Sequence, residues 1–210
     1  MSISFTKKEI IWIIIAILVV GFLIEINKEL KLDLIGLLWA SIIVLTSVFA
    51  KKITAPIYSI KIEHKIWSFK QWWFTKRSHF KKPIPIGLIL PFFLSILSLG
   101  LIKPFTLLQF DSENLKKKRV LKKRGDYRYS EINDSDIAFT AAWGFWALIL
   151  LTIIATFLKQ PELAKYSIYY GLWNLLPISQ LDGSKLFFGS LINWVLLIIA
   201  YVISLVIILI

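Results

Sequence analysis

The ten residues NLLPISQLDG, 174–183, set an amide (Asn174), a helix-breaking proline (Pro177) and a carboxylate (Asp182) inside an apolar surrounding. Polar groups at such a place are costly and are kept for a task. Pro177 removes a backbone donor and frees a carbonyl in the preceding turn, Asn174 can satisfy exposed backbone groups, and Gly183 lets the chain turn after Asp182. Such an unwound segment can hold an extended peptide by main-chain pairing in a protected cavity. The plainer alternative is that Asn174 and Pro177 stabilise a kink while Asp182 caps a helix starting near Ser184.

The rest of the chain supplies the membrane setting. Hydrophobic residues make up 57% of the 210 positions, well above the roughly 45–50% apolar share of a soluble domain. Cysteine is absent, which removes disulfides and thiolate metal sites and leaves any chemistry to His, Asp, Glu and amides.

Crossing a hydrocarbon core takes about 20 mostly apolar helical residues. Stretches 9–26, 34–50, 83–102, 137–158, 166–181 and 186–210 approach that length. The expected fold is therefore an all-α polytopic membrane protein with about five transmembrane helices plus a re-entrant segment. Residues 1–52 would form an amino-terminal helical hairpin and residues 53–210 the membrane core. Lys7 and Lys8 precede the first apolar run as in a signal peptide, but no small-residue cleavage site follows, so a retained helix is expected.

Lys and Arg cluster in two loops, 51–82 and 103–128, with nine basic residues each, and such loops favour the cytoplasm. A full crossing by 83–102 would place them on opposite sides. The conflict disappears if that segment, interrupted by Pro85, Gly87, Pro91 and Gly100, enters and leaves on one face, because non-helical backbone is tolerated where protein covers it. A kinked full crossing is the alternative. The expected location is thus an integral membrane protein of the cell membrane, with basic loops 53–82 and 103–136 cytoplasmic.

A net charge of +12 and the run KKKRVLKKR, 116–124, raise the matter of nucleic acid, but no base-reading motif accompanies them. Attraction to anionic lipid, about 1 kcal/mol per basic residue near the surface, is the simpler account. Residues 57–74 mix Trp67, Trp72 and Trp73 with lysines, as an interfacial helix would.

The positions of Asn174, Pro177, Leu181, Asp182 and Gly183 resemble the NxxPxxxLDG signature of the site-2 protease family of intramembrane zinc proteases. The stretches 83–100 and 141–150 resemble, more weakly, two further segments of archaeal-type members, in the family's order, although Phe145 stands where a proline is expected. The resemblance covers most of the chain from about residue 53 onward. It implies a site-2 protease-like core, zinc as cofactor, Asp182 as third zinc ligand, and client contacts at Asn174, Pro177, Leu181 and Gly183.

The family also carries HExxH on a helix, whose histidines bind zinc while the glutamate activates water. This chain has none. The closest register is IKIEH, 60–64, which puts His64 at the second histidine, Ile60 at the first ligand and Lys61 at the base. An aliphatic Ile60 removes a ligand, and a cationic Lys61 would repel a divalent metal. His64 and Asp182 are then the only metal-ligand candidates, where catalytic zinc holds three protein ligands plus water. Glu63 would point about 100° away from His64 on a helix. His79 has nothing nearby in sequence to bring it to Asp182, and Glu25 is expected as an interfacial carboxylate beside Lys28.

The sequence thus points to a catalytically impaired site-2 protease homologue that binds transmembrane clients. Two alternatives stand beside it: an active zinc endopeptidase with non-standard ligands, and a membrane scaffold whose basic loops bind anionic lipid. Nucleic acid is not an expected partner.

Overall fold

The computed structural model of the chain describes residues 5–26, 34–71, 79–114, 118–120, 127–129 and 132–209. Helix α1 (Lys7–Glu25) begins where the Thr6 hydroxyl accepts the Glu9 N–H at 3.2 Å, and Glu9 adds an anion to the first turn, where the helix dipole favours one. Helix α2 (Leu34–Thr54) returns beside it, and its last-turn lysine Lys52 meets Glu9 at the start of α1.

Residues 60–66 form a strand, β1 (Ile60–Ile66), with alternating burial. Ile60, Ile62, His64 and Ile66 face inward, and β-branched residues at period two suit a half-buried strand. The interfacial helix expected over 57–74 is therefore not formed: turns precede β1, and β2 (Phe69–Gln71) follows it. Trp72 and Trp73 lie outside the described residues. Strand β3 (His79–Ile84) pairs with β2, β4 (Leu108–Asn114) pairs antiparallel with β1, and the short β5 (Lys118–Val120) pairs with β6 (Tyr127–Tyr129). The chain is mostly helical, in keeping with the all-α membrane expectation, and among the described residues it carries these three two-stranded sheets in addition. Most of the basic run 116–124 lies outside the described residues.

Between β3 and β4 the chain makes helix α3 (Ile86–Leu97), a turn with Leu99 and Gly100 at positive φ, and an extended return. The two ends of this excursion meet. Gly87 donates its N–H to the Trp67 carbonyl at 2.9 Å, and Trp67 donates its own to Leu107 at 2.8 Å. At the far tip, Lys103 donates to the Ile24 carbonyl, at the opposite end of α1, at 3.1 Å. Twelve helical residues span about 18 Å, less than a hydrocarbon core of about 30 Å.

Helices α4 (Asp134–Phe157), α5 (Pro161–Leu175), α6 (Asp182–Gly189) and α7 (Leu191–Leu209) complete the bundle. Phe145, at the position where a proline was expected, is buried on α4. Its ring meets the Tyr201 ring edge-on, and its carbonyl accepts the Tyr201 hydroxyl at 3.0 Å.

Among the described residues, three helices are long and apolar enough to cross a membrane: α2, α4 and α7. The expectation of about five is corrected for physical reasons. In α1 the uncharged run is confined between Glu9 and Glu25, with Lys7 and Lys8 before it. Pro177 stops α5 at Leu175 after 15 residues, about 22 Å of helix, because the residue before a proline is driven out of the helical region.

A buried ionic site beside residues 174–189

Residues 174–183 take the interrupted form their composition implies. Asn174, in the last turn of α5, donates its amide N–H groups to the Phe105 carbonyl at 3.0 Å and the Tyr170 carbonyl at 2.8 Å. It thereby joins α5 to the extended return that leads into β4. After Pro177 the backbone is irregular through the fully buried Leu181, with Ser179 at a φ of 52°. Helix α6 starts at Asp182 rather than near Ser184. The role of Gly183 differs from the one its sequence implies. Its φ is not positive, and a Cβ there would run into the carbonyls of Leu175 and Leu176. The glycine is needed so that α6 can close onto the end of α5.

Asp182 is buried, and its Oδ2 accepts from Lys51 Nζ at 2.5 Å. Lys51, counted in sequence among loop charges, belongs to the last turn of α2 and is equally buried. Its stem crosses α4 at Gly144, where an added Cβ would lie 3.0 Å from the Cγ and Cε of the lysine. Its ammonium is 5.8 Å from the Phe110 ring centroid, while Lys185 of α6 lies over that ring at 3.5 Å and donates to the Phe110 carbonyl. Burial pushes the Lys185 ammonium down to about 8, against the pull of Asp182 and Asp111.

Lys52, one residue on, turns to the other side of α2. Glu9 is fully buried and organises the groups there. Its Oε1 accepts both the backbone N–H and Nδ1–H of His64, each at 2.9 Å, and its Oε2 accepts from Lys52 at 2.8 Å. Lys52 also donates to the Ile62 carbonyl at 2.8 Å. Burial pushes the His64 imidazole down to about 4, with the Glu9 hydrogen bond opposing and the Lys51 charge adding to the fall. The ring is therefore neutral, with its proton on Nδ1 and a bare Nε2 that meets no partner among the described residues.

The helical register proposed for 60–64 does not hold. On a strand, residues four apart are about 13 Å distant, against about 6 Å on a helix, so residue 60 could not share a metal ion with His64 whatever its identity. Ile60 is core, packed with Phe110, and Lys61 is exposed on the other face of β1. Glu63 also faces away from His64, because strand neighbours alternate, and accepts from the Thr6 hydroxyl at 2.5 Å. His79 starts β3; its side chain lies outside the described residues. Glu25 is buried against Gly36, beside the tip of the Lys103 excursion and far from Asp182.

A divalent metal does not fit this donor set. His64 offers Nε2 and Asp182 offers Oδ1, both bare. No group of three His, Asp or Glu side chains among the described residues could hold an ion. The Lys51 ammonium lies on Asp182 and its charge reaches His64, the Lys185 ammonium adds a second positive charge beside Asp182, and Glu9 is committed to the Nδ1 side of His64.

What the site does offer is a strand edge with which no other strand pairs among the described residues. The His64 N–H and the Ile62 carbonyl both point to α1 and α2, which makes 64↔110 and 62↔112 the non-hydrogen-bonded pairs of the β1–β4 ladder. The backbone groups of Phe110 and Ser112 consequently face away from β1. There they border a cavity of about 590 Å³ shared with Ser179, Gln180, Ser184 and Lys185.

Glu9, Lys51, Lys52, Phe110 and Lys185 were not singled out by sequence. Charged residues at the ends of apolar helices were the available signal for the first three. No family model, curated protein or solved structure matches this chain.

Proposed function

We propose that this protein is a membrane-embedded, catalytically impaired member of the site-2 protease family that binds an extended segment of a transmembrane client and does not cleave it. The observation that carries this reading is the outward edge of β4, open to a cavity whose other wall is the unwound 179–180 segment and the start of α6. An extended chain laid there gains main-chain hydrogen bonds from the Phe110 N–H and from Ser112, the β-augmentation mode of recognition. The absence of cleavage is supported by the Lys51 ammonium on Asp182, which supplies the positive charge a bound metal would otherwise bring.

The test is a photo-crosslinker at Ser112 or Gln180 in protein reconstituted with a model transmembrane substrate. The expected result is a crosslink from both positions with the substrate intact, with and without added zinc. Cleavage accompanied by bound zinc would replace this reading with that of an active endopeptidase. Absence of any crosslink, with adsorption to anionic vesicles retained, would replace it with a lipid-binding scaffold.

A further inference from the structure

We infer that the cavity beside β4 selects a client segment carrying a lysine or arginine, an inference that rests on the client-binding reading above. The chain has 25 basic residues against 13 acidic ones, yet among the described residues that line this cavity the acidic Asp111, Glu113 and Asp134 stand against a single basic one, Lys185. That lysine is occupied: its ammonium donates to the Phe110 carbonyl and covers the Phe110 ring. The Ser184 hydroxyl adds an independent pointer to a ligand, since Ser184 lines the cavity, is only 3% exposed, and leaves its Oγ without a partner among the described residues.

The register sets where the client's charge would fall. Asp111 and Glu113 are two apart on β4 and share the face opposite Phe110 and Ser112. A strand added to this edge presents alternate side chains to that same face, so a basic residue there stands beside Asp111 or Glu113. Asp111 is already bonded to Lys65 of β1 across the sheet, an arrangement in which the protein's own lysine occupies one side of the carboxylate and a client's lysine can take the other. Favourable cross-strand charge pairs are worth about 1.4- to 5-fold in affinity each.

The experiment is fluorescence anisotropy of two labelled peptides against the full chain in nanodiscs of neutral phosphatidylcholine. One peptide alternates valine and lysine; the other replaces each lysine with glutamine. The expected result is several-fold tighter binding of the lysine peptide, an advantage that shrinks with added salt and disappears in the Asp111→Asn/Glu113→Gln double variant. A melting temperature unchanged from wild type shows that this variant is folded. A global net charge of +12 repels the lysine peptide, so a preference for it can arise only locally. Equal binding of both peptides overturns the inference and leaves client binding standing, whereas binding of neither overturns both.

Discussion

Lys51 and Asp182 join α2 to α6 through one ammonium–carboxylate contact of 2.5 Å, with both side chains about 5% exposed or less. Removing one partner of such a pair strands a charge in low dielectric and costs about 3–5 kcal/mol. Lys51→Met and Asp182→Leu should each lower stability by that order. The double variant should recover much of the loss, and a double-mutant cycle by denaturant or thermal unfolding in detergent measures it.

The donor set, two bare atoms on His64 and Asp182, sets the expectation for metal content. Purified without chelators, the wild-type protein should carry well under one zinc per chain by mass spectrometry, and a chelator should leave its melting temperature unchanged. Lys51→Ala should also fail to acquire stoichiometric zinc, since it frees Asp182 without adding a third donor. Near-stoichiometric zinc lost in both His64→Ala and Asp182→Ala would refute the account.

Two glycines should respond differently to alanine. At Gly183 the new methyl group meets backbone carbonyls of α5, which cannot step aside, and a loss of about 1–3 kcal/mol is expected. At Gly144 it meets the flexible Lys51 stem at 3.0 Å. The smaller cost there should vanish in a Lys51→Ala background, which removes the Cγ and Cε that the new methyl group meets.

His64 makes stability depend on pH in a defined window. Its folded-state value, about 4, lies below the ordinary 6.5, so the unfolded chain binds a proton more readily between those values. Stability from the neutral ring is complete above about pH 6.5 and is lost as pH falls toward 4, by at most about 1.4 kcal/mol per unit. Melting temperatures from pH 7 to 5 should fall in wild type and flatten in His64→Gln.

Some of this was legible in the sequence. Pro177 marks where α5 must stop, and Asn174 and Asp182 carry polar atoms that a buried break has to satisfy. The alternation of IKIEHKI is a strand pattern, whereas the resemblance to a helical metal motif at 60–64 implies a helix. Lys51 and Lys52 follow an apolar run and so read as loop charges. Their partners Asp182 and Glu9 lie 131 and 43 residues away, and nothing local records that both ammoniums turn inward. The span count failed for a related reason: apolar length is visible, whereas the charges that bound α1 acquire meaning only once Glu9 is seen to hold β1.

The separation of these partners orders the birth of the molecule. Glu9, Lys52 and His64 leave the ribosome early, so the hairpin of α1 and α2 can receive β1 while the remainder is still being translated. Lys51 is synthesised with them but waits for Asp182, near the end of the chain. A nascent chain arrested before residue 182 lacks the carboxylate that the Lys51 ammonium meets in the finished bundle.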